Sequence, residues 1–510
     1  MEEIRKTAEF YGQAHVFKYW EHLSDDEKDK LKEDLSTIDF AAIGLNFQKC
    51  VSQLEKMGQK IDNEIEPPSE DCLFSKALGS SEDVERYTQI EIGKERLSDN
   101  RIIFLYVLGY KAISDNRVAL LLLAGGQGTR LGVPYPKGMY DIGLPSKKTL
   151  YQIQAERIIK VQRNAMKLNN SSQSPVIPWY IMVSKHTKDM TEKFFEEHNY
   201  FGLEKDNVSF FVQRLLPCLD FDGKIIMESK FKVAKAPDGN GGLYAALNDA
   251  NIIEDMEKRG IRHICIHGVD NILVKLADPA FMGYCEDRGA SCGSKVVEKK
   301  NPEESVGVVC KINNQYGVVE YSEISKETSE KRKPDGRLLY SGANIVYHYL
   351  NFEFLKLICR DYVDDLDPHV AKKKIPFVNE NGTTVKPEQV NGIKIEKFVF
   401  DIFKYATNFV LWEVLKEDEF APLKNADGAS SATPTECRKM MLDLCRRYVL
   451  NAGGQFSQDD GSNDSIVCEI SPLLSYDGED LGDIVNNETF YSPLVLYAKE
   501  EKEKSFLNKI

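Results

Sequence analysis

The chain has 510 residues, 42% of them hydrophobic, and 66 Lys and Arg against 80 Asp and Glu, for a net charge of −14. That length allows two or three domains around at least one large core, and the acidic balance argues against a general DNA or RNA binder, so no nucleic-acid partner is expected. The 11 cysteines fall singly, without the C-x-x-C pair of a zinc ribbon or thioredoxin-like site, a pattern that suits a reducing compartment.

Residues 1–115 read as an N-terminal helical domain. The start, Met1-Glu2-Glu3-Ile4-Arg5-Lys6, lacks the apolar core of a signal peptide. Ser24-Asp25-Asp26-Glu27 carries the pattern of a helix cap. Pro67-Pro68-Ser69-Glu70-Asp71 breaks the helical spacing and reads as a linker, and a second helical stretch is expected near Val84–Lys111. Residues 116–406 alternate short apolar runs with helical patterns. Trp179–Val183 precedes a helical Thr187–Glu197, and His263–Val269 ends at Asp270. Such alternation predicts an α/β domain with a mainly parallel, Rossmann-like sheet covered on both faces. Lys331–Gly336 reads as an exposed turn, and Lys372-Lys373-Lys374 as a solvated helix face. Residues 407–510 read as a small C-terminal domain, entered through a loop at Ala426–Ser431. The longest apolar run, Val118–Ala124, is far too short to cross a bilayer. A cytoplasmic protein with no membrane partner is expected.

The apolar run ends in Ala124-Gly125-Gly126-Gln127-Gly128-Thr129-Arg130-Leu131-Gly132, and Pro136-Lys137 follow. A dinucleotide fingerprint needs G-x-G-x-x-G opening a helix. Gly126 and Gly128 supply two glycines, but Leu131 stands in the third place, and Pro134 and Pro136 oppose a helix there. A P-loop needs Gly before Lys, and here Lys137 precedes Gly138. The next helical pattern begins near Lys148-Thr149-Leu150. What remains is a long non-helical glycine loop, open to close approach by a base or phosphate, with Arg130 and Lys137 to neutralise a polyphosphate.

The run Leu123–Gly132, followed by Tyr135-Pro136-Lys137-Gly138-Met139-Tyr140-Asp141, closely resembles the signature of the eukaryotic UDP-N-acetylhexosamine pyrophosphorylases. The resemblance continues through Ala236–Tyr244, Val269–Lys275, Gly317–Glu323, Asn391–Asp401 and Pro422–Asp427, in order and over nearly the whole chain. It implies a nucleotidyltransferase fold and a uridylyltransferase that joins UTP to N-acetylglucosamine 1-phosphate and releases pyrophosphate. The balance between glucosamine and galactosamine substrates stays open, as does oligomeric state. A UDP-glucose or broad UDP-sugar pyrophosphorylase is the nearest alternative. A sugar-nucleotide-binding protein without turnover and a hydride-transfer enzyme are the readings from other classes.

The implied reaction brings two anions together and expels a third, so catalysis should rest on positioning and electrostatics. Arg130, Lys137 and Lys424 are the expected catalytic cations. The resemblance places Leu123, Ala124, Gly125, Gly126, Gln213, Gly239, Asp270 and Lys394 at UTP, with Gln213 and Gly239 at the uracil. It places Asn240, Glu320, Tyr321, Asn344, Phe398 and Phe400 at the sugar. The last two read as one face of a strand. Asp270, at a strand's carboxyl end, is the expected ligand of Mg²⁺ or another divalent cation, and Asp401 is a candidate second ligand. Ala452-Gly453-Gly454-Gln455 echoes the opening loop without its cations and reads as a structural turn. His186, His198 and His267 lack metal-ligand spacing.

Overall fold

The computed structural model describes residues 1–56, 59–75, 101–169, 172–457 and 466–502. Two compact units are assembled from separated stretches of chain. One comprises Met1–Ile61, Gln213–Asp249 and Ile358–Ile402, the other Asp62–Val212, Ala250–Leu357 and Phe403–Ile510.

Among the described residues, the second unit holds an 11-stranded sheet. Its main path runs Leu73–Ser75, Phe409–Val414, Cys292–Glu298, Gly342–Asn351, His263–Gly268, Val118–Leu123, Trp179–Val183, Val208–Val212. Neighbours on this path pair in parallel, except that Gly342–Asn351 runs antiparallel to both of its neighbours. The hairpin Val308–Ile312 and Gln315–Val319 hangs from Gly342–Asn351. Val118 to Leu122 are all buried, which is why this strand reads as an unbroken apolar run rather than an alternation. The expected mainly parallel sheet is therefore present. Phe409–Val414, beyond the expected boundary at 406, lies inside it.

Helices begin where their caps are. Thr149 accepts from the Gln152 N–H at the head of Leu150–Leu168, and Thr433 accepts from Glu436 N ahead of Pro434–Asn451. Pro434 in that first turn costs no hydrogen bond, because its N–H position has no intrahelical partner. The core of this unit centres on Leu120, Leu122, Trp179, Ile181, Phe281 and Trp412. A second cluster joins Leu131, Leu144 and Leu150 to Leu423, Leu444 and Ile470.

The first unit combines the helices Glu2–Phe10, Asp25–Ser36 and Phe40–Lys56 with short antiparallel pairs, among them Leu215–Pro217 with Lys235–Pro237 and His369–Lys373 with Gly392–Glu396. Ser24 caps Asp25–Ser36 in a reciprocal box with Glu27, as its sequence predicts. Leu31, Leu35, Phe40, Leu219, Ile393 and Ile395 pack together as its core.

Three expectations need correction or restriction. Lys372 and Lys373 are solvent-exposed, but they belong to a strand, paired with Ile393 and Gly392. A lysine run carries no period of its own, and the pairing partners lie 21 and 19 residues away. Phe398 and Phe400 do not share a strand face, because the strand ends at Glu396. Of the helix expected near Val84–Lys111, residues 84–100 lie outside the described residues, and Arg101–Ser114 is helical.

Candidate active site

In the second unit, the strands Val118–Leu123 and His263–Gly268 run parallel in register, with Leu123 opposite Gly268. Their carboxyl ends therefore release the glycine loop and the Val269-Asp270 turn side by side. Ala124 N bonds Met182 O at 2.8 Å, and Val269 N bonds Leu123 O at 3.2 Å. No helix follows the loop directly. Instead it folds back on itself through Lys137 N to Gly126 O at 3.3 Å and Gly128 N to Tyr135 O at 3.1 Å, with short 3₁₀ turns at Gly128–Leu131 and Lys137–Met139.

The glycines of this loop divide into two kinds. A Cβ on Gly128 would come 2.3 Å from Val133 Cγ2, and one on Gly138 would come 2.1 Å from the Tyr151 ring. Those two serve packing. A Cβ on Gly126 would meet nothing within 4 Å, so the absence of a side chain there leaves space beside an exposed backbone.

A distant segment closes on the loop. Leu423 N donates to Asp270 O at 2.8 Å, Ala426 N donates to Arg130 O at 3.1 Å, and the half-buried Lys137 ammonium donates to Leu423 O at 2.9 Å. Burial lowers the Lys137 pKa, Asp270 opposes that shift, and Lys424 and Arg130 reinforce it. Arg130, Lys137, Lys424 and Asp270 thus form one electrostatic cluster. Three cations repel one another in the absence of an anion, and a polyphosphate would relieve that repulsion.

The Asp270 carboxylate occupies space that Gly268 leaves open, since a Cβ there would come 2.7 Å from Asp270 Oδ1. Among the described residues, no three His, Cys, Asp or Glu side chains gather as a ligand set. A divalent cation at Asp270 would therefore draw its other ligands from water and phosphate. Mg²⁺ suits that sparse donor set, because it keeps several waters and binds through one or two carboxylates with substrate phosphates.

Glu320 and Asn344, also in this unit, both reach Gly307. Asn344 N donates to Gly307 O at 2.9 Å, and a Cβ on Gly307 would sit 3.0 Å from Glu320 Oε1. Asn344 lies at a bulge: Val296 pairs with Asn344 and Ser294 with His348, leaving extra residues on one strand. Within it Val346 adopts φ 55°, an unusual left-handed conformation for a β-branched residue, and its N–H is held by Asn344 Oδ1 at 3.0 Å. Bulges re-aim side chains in this way. Tyr321 is half exposed. Lys299, which the sequence reading passed over, is buried beside Glu320, and burial lowers its pKa against the pull of Glu304 and Glu320.

In the first unit, the turn Asp238–Gly242 is bound to the segment Glu396–Asp401. Lys397 N donates to Asp238 O at 2.7 Å and Gly241 N to Lys397 O at 2.8 Å. Gly239 has φ 83°, and a Cβ there would come 2.3 Å from Lys397 O, so both conformation and space demand glycine. The Gln213 amide Nε2 donates to Gly239 O, and Asn240 Oδ1 accepts from Val399 N at 2.9 Å. Lys394 sits on the strand Gly392–Glu396, half buried. Phe398 and Phe400 contact each other with ring centroids 5.1 Å apart, and Phe398 also packs on His369 at 4.1 Å. Asp401 is already engaged: its two oxygens accept from Phe398 N at 2.7 Å and meet His369 Nε2 at 2.9 Å. It holds the turn after the strand rather than presenting a bare carboxylate.

Residues 46–471 match the family described as UTP–glucose-1-phosphate uridylyltransferase. The chain belongs to this family. Within the uridylyltransferase family it is similar to UDP-N-acetylhexosamine pyrophosphorylase-like protein 1 of Xenopus tropicalis, at 46% identity over 98% of this chain and 97% of the relative. It is 41% identical to UDP-N-acetylglucosamine diphosphorylase 2 of Arabidopsis thaliana, over 95% of this chain and 91% of that protein. Among solved structures, the uridine diphosphate N-acetylglucosamine pyrophosphorylase of Trypanosoma brucei superposes with a TM-score of 0.81 at 30% identity, over 97% of this chain and 98% of the other.

Proposed function

We propose that this protein is a uridylyltransferase that makes UDP-N-acetylglucosamine and pyrophosphate from UTP and N-acetylglucosamine 1-phosphate. The observation that carries the reading is the convergence of Arg130, Lys137, Lys424 and Asp270 at the carboxyl ends of two adjacent parallel strands. It stands in a chain whose near-full-length relatives are named UDP-N-acetylhexosamine or UDP-N-acetylglucosamine pyrophosphorylases. Galactosamine remains a second candidate sugar. The UDP-glucose alternative is not favoured, since those relatives are named for the N-acetylated product.

A phosphate oxygen of the sugar phosphate attacks the α-phosphorus of UTP. The bond from that phosphorus to the bridging oxygen breaks, and its electron pair leaves on pyrophosphate. The nucleophile is already anionic, so the chain need supply no general base. Its task is to hold two anions together and receive growing negative charge. Arg130, Lys137 and Lys424 take the β- and γ-phosphates. The backbone of Leu123–Gly126 lies against the nucleotide, Gln213 and Gly239 read the uracil, and Lys394 adds a cation for UTP. Asn240, Glu320, Tyr321 and Asn344 hold sugar hydroxyls, Phe398 and Phe400 receive the N-acetyl methyl, and Lys299 stands beside Glu320 as a further cation. Asp270 would hold Mg²⁺, which when bound neutralises phosphate charge and orients the phosphates.

The test incubates the full chain with UTP, N-acetylglucosamine 1-phosphate and Mg²⁺ and follows both products by ³¹P NMR. Equal amounts of pyrophosphate and UDP-sugar are expected, and absence of both refutes the reading. Omitting the divalent cation should abolish turnover.

The described residues include no helix long and apolar enough to cross a membrane. We carry the cytoplasmic setting as part of the same proposal, supported by 11 cysteines that are all buried.

A further inference from the structure

Asp238 is a buried carboxylate for which the reaction just described has no use. It is 4% exposed, and its Oδ1 takes no hydrogen bond. It fills the space that Gly242 vacates, where a Cβ would come 1.9 Å from that oxygen. A desolvated carboxylate without its full complement of partners is costly. Isosteric Asn would avoid the charge.

Its neighbour is the Gln213 amide, whose Nε2 already donates to Gly239 O and which lies close enough to Asp238 to favour its ionised form. An amide has one donor end and one acceptor end. With a carbonyl and a carboxylate on one side, the NH₂ end is drawn toward them and the Oε1 end turns away. The reversed amide would set Oε1 against two acceptors. Gln213 therefore presents an acceptor to whatever lies on its free side. Uracil carries a donor, N3–H, where cytosine carries an acceptor at N3. A fixed acceptor at Gln213 welcomes the first and opposes the second, which is discrimination by repulsion as well as attraction.

We infer that Asp238 is a positioning residue that fixes the Gln213 amide and thereby selects uracil over cytosine nucleotides. The inference rests on the uracil-facing role given to Gln213 and Gly239 above. It is supported by the carboxyl's own titration. Burial pushes its pKa up to about 7, against the opposing influence of Gln213, its own backbone N–H, Lys397 and Arg214. Lys397 is in turn faced by Asp364, Lys49 and Arg214, and Arg214 is paired with Asp249. Near neutrality the carboxyl thus passes between an acceptor-only form and one that carries a donor, and the protonated form no longer enforces the amide's orientation.

The experiment compares kcat/KM for UTP and CTP, each with N-acetylglucosamine 1-phosphate, in the wild type and in Asp238→Asn. The UTP:CTP ratio should fall at least about tenfold in the variant, while thermal stability at pH 8 holds or rises. A ratio within about twofold of wild type overturns the inference. In the wild type alone, the ratio should decline as pH is lowered through about 7. Triphosphate and metal titrate alike in both nucleotides and cancel from it. A flat ratio between pH 6 and 8.5 also overturns the inference, with no variant needed. A wild type inert toward UTP sinks the underlying reading and the inference together, whereas an active wild type with an unmoved ratio sinks the inference alone.

Discussion

Replacing Asp238 by Asn should change how folding stability depends on pH. The Asp238 carboxyl rises from its model-peptide value of 3.8 to about 7 in the folded chain. The folded state therefore binds this proton more tightly than the unfolded state. Stability from this group is complete below about pH 4, is lost as pH rises toward about 7, and is flat above that. At roughly 1.4 kcal/mol per pH unit, the rise from 3.8 to about 7 amounts to roughly 4 kcal/mol, of which roughly 3 kcal/mol falls between about pH 4.5 and about pH 8. The group is deeply buried, so solvent screening removes little of it. Any cost of the buried Asn amide is independent of pH and drops out of the slope. Two units need not unfold in one step, so the assay is hydrogen exchange at the amides of Leu243–Asp249, which follow Asp238 in the chain, across that pH range in wild type and variant. The wild-type opening free energy should fall relative to the variant by about that amount. Parallel pH profiles would refute the assignment of a buried, under-partnered carboxylate.

Other perturbations separate packing from chemistry. Lys137→Met should lower kcat by about 10²- to 10³-fold, the scale for removing one preorganised charge contact. Its melting temperature should change little, since losing the bond to Leu423 O is offset by relief of the Lys137 desolvation. A variant that keeps wild-type kcat contradicts the phosphate role. Gly138→Ala should destabilise the fold by about 1–3 kcal/mol through its clash with Tyr151, whereas Gly126→Ala should melt normally and raise KM for UTP. Identical behaviour of the two would contradict the division of the loop's glycines. Arg157→Met should cost about 2–5 kcal/mol, because the nearly buried guanidinium donates to Ile272 O at 2.5 Å and Val274 O at 3.0 Å in the loop after Asp270. Unchanged denaturant midpoints would contradict it.

Much of the larger unit was legible because its signals are local. The run Val118–Leu123 is apolar throughout because both faces of the strand are covered, and Leu131 in the third glycine place, with Pro134 and Pro136 after it, excludes a helix-opening loop. Arg130, Lys137 and Asp270 are legible from the loop and from the strand end, and the strand register sets them side by side. Lys424 comes only through the family resemblance, and the Leu423–Asp270 backbone bond supplies its physical reason. What escaped the sequence depends on tertiary burial. Lys299, Lys397 and Asp238 look like ordinary charged residues in turns, and such residues are mostly solvated. Phe398 and Phe400 have the spacing of a strand, but the Asp401 carboxylate takes the Phe398 N–H and turns the chain. Each compact unit is also built from stretches separated in the chain. Pairing such as Leu219 N with Ile393 O joins segments far apart in sequence, which a division in chain order cannot express.

The central claim concerns which sugar phosphate is used, and one comparison tests it most directly. Initial rates of pyrophosphate release are measured with UTP and Mg²⁺ against N-acetylglucosamine 1-phosphate and against glucose 1-phosphate. The account predicts a clear preference in kcat/KM for the N-acetylated substrate, diminished when Phe398 and Phe400 are replaced by Ala. Equal or faster turnover of glucose 1-phosphate would contradict it.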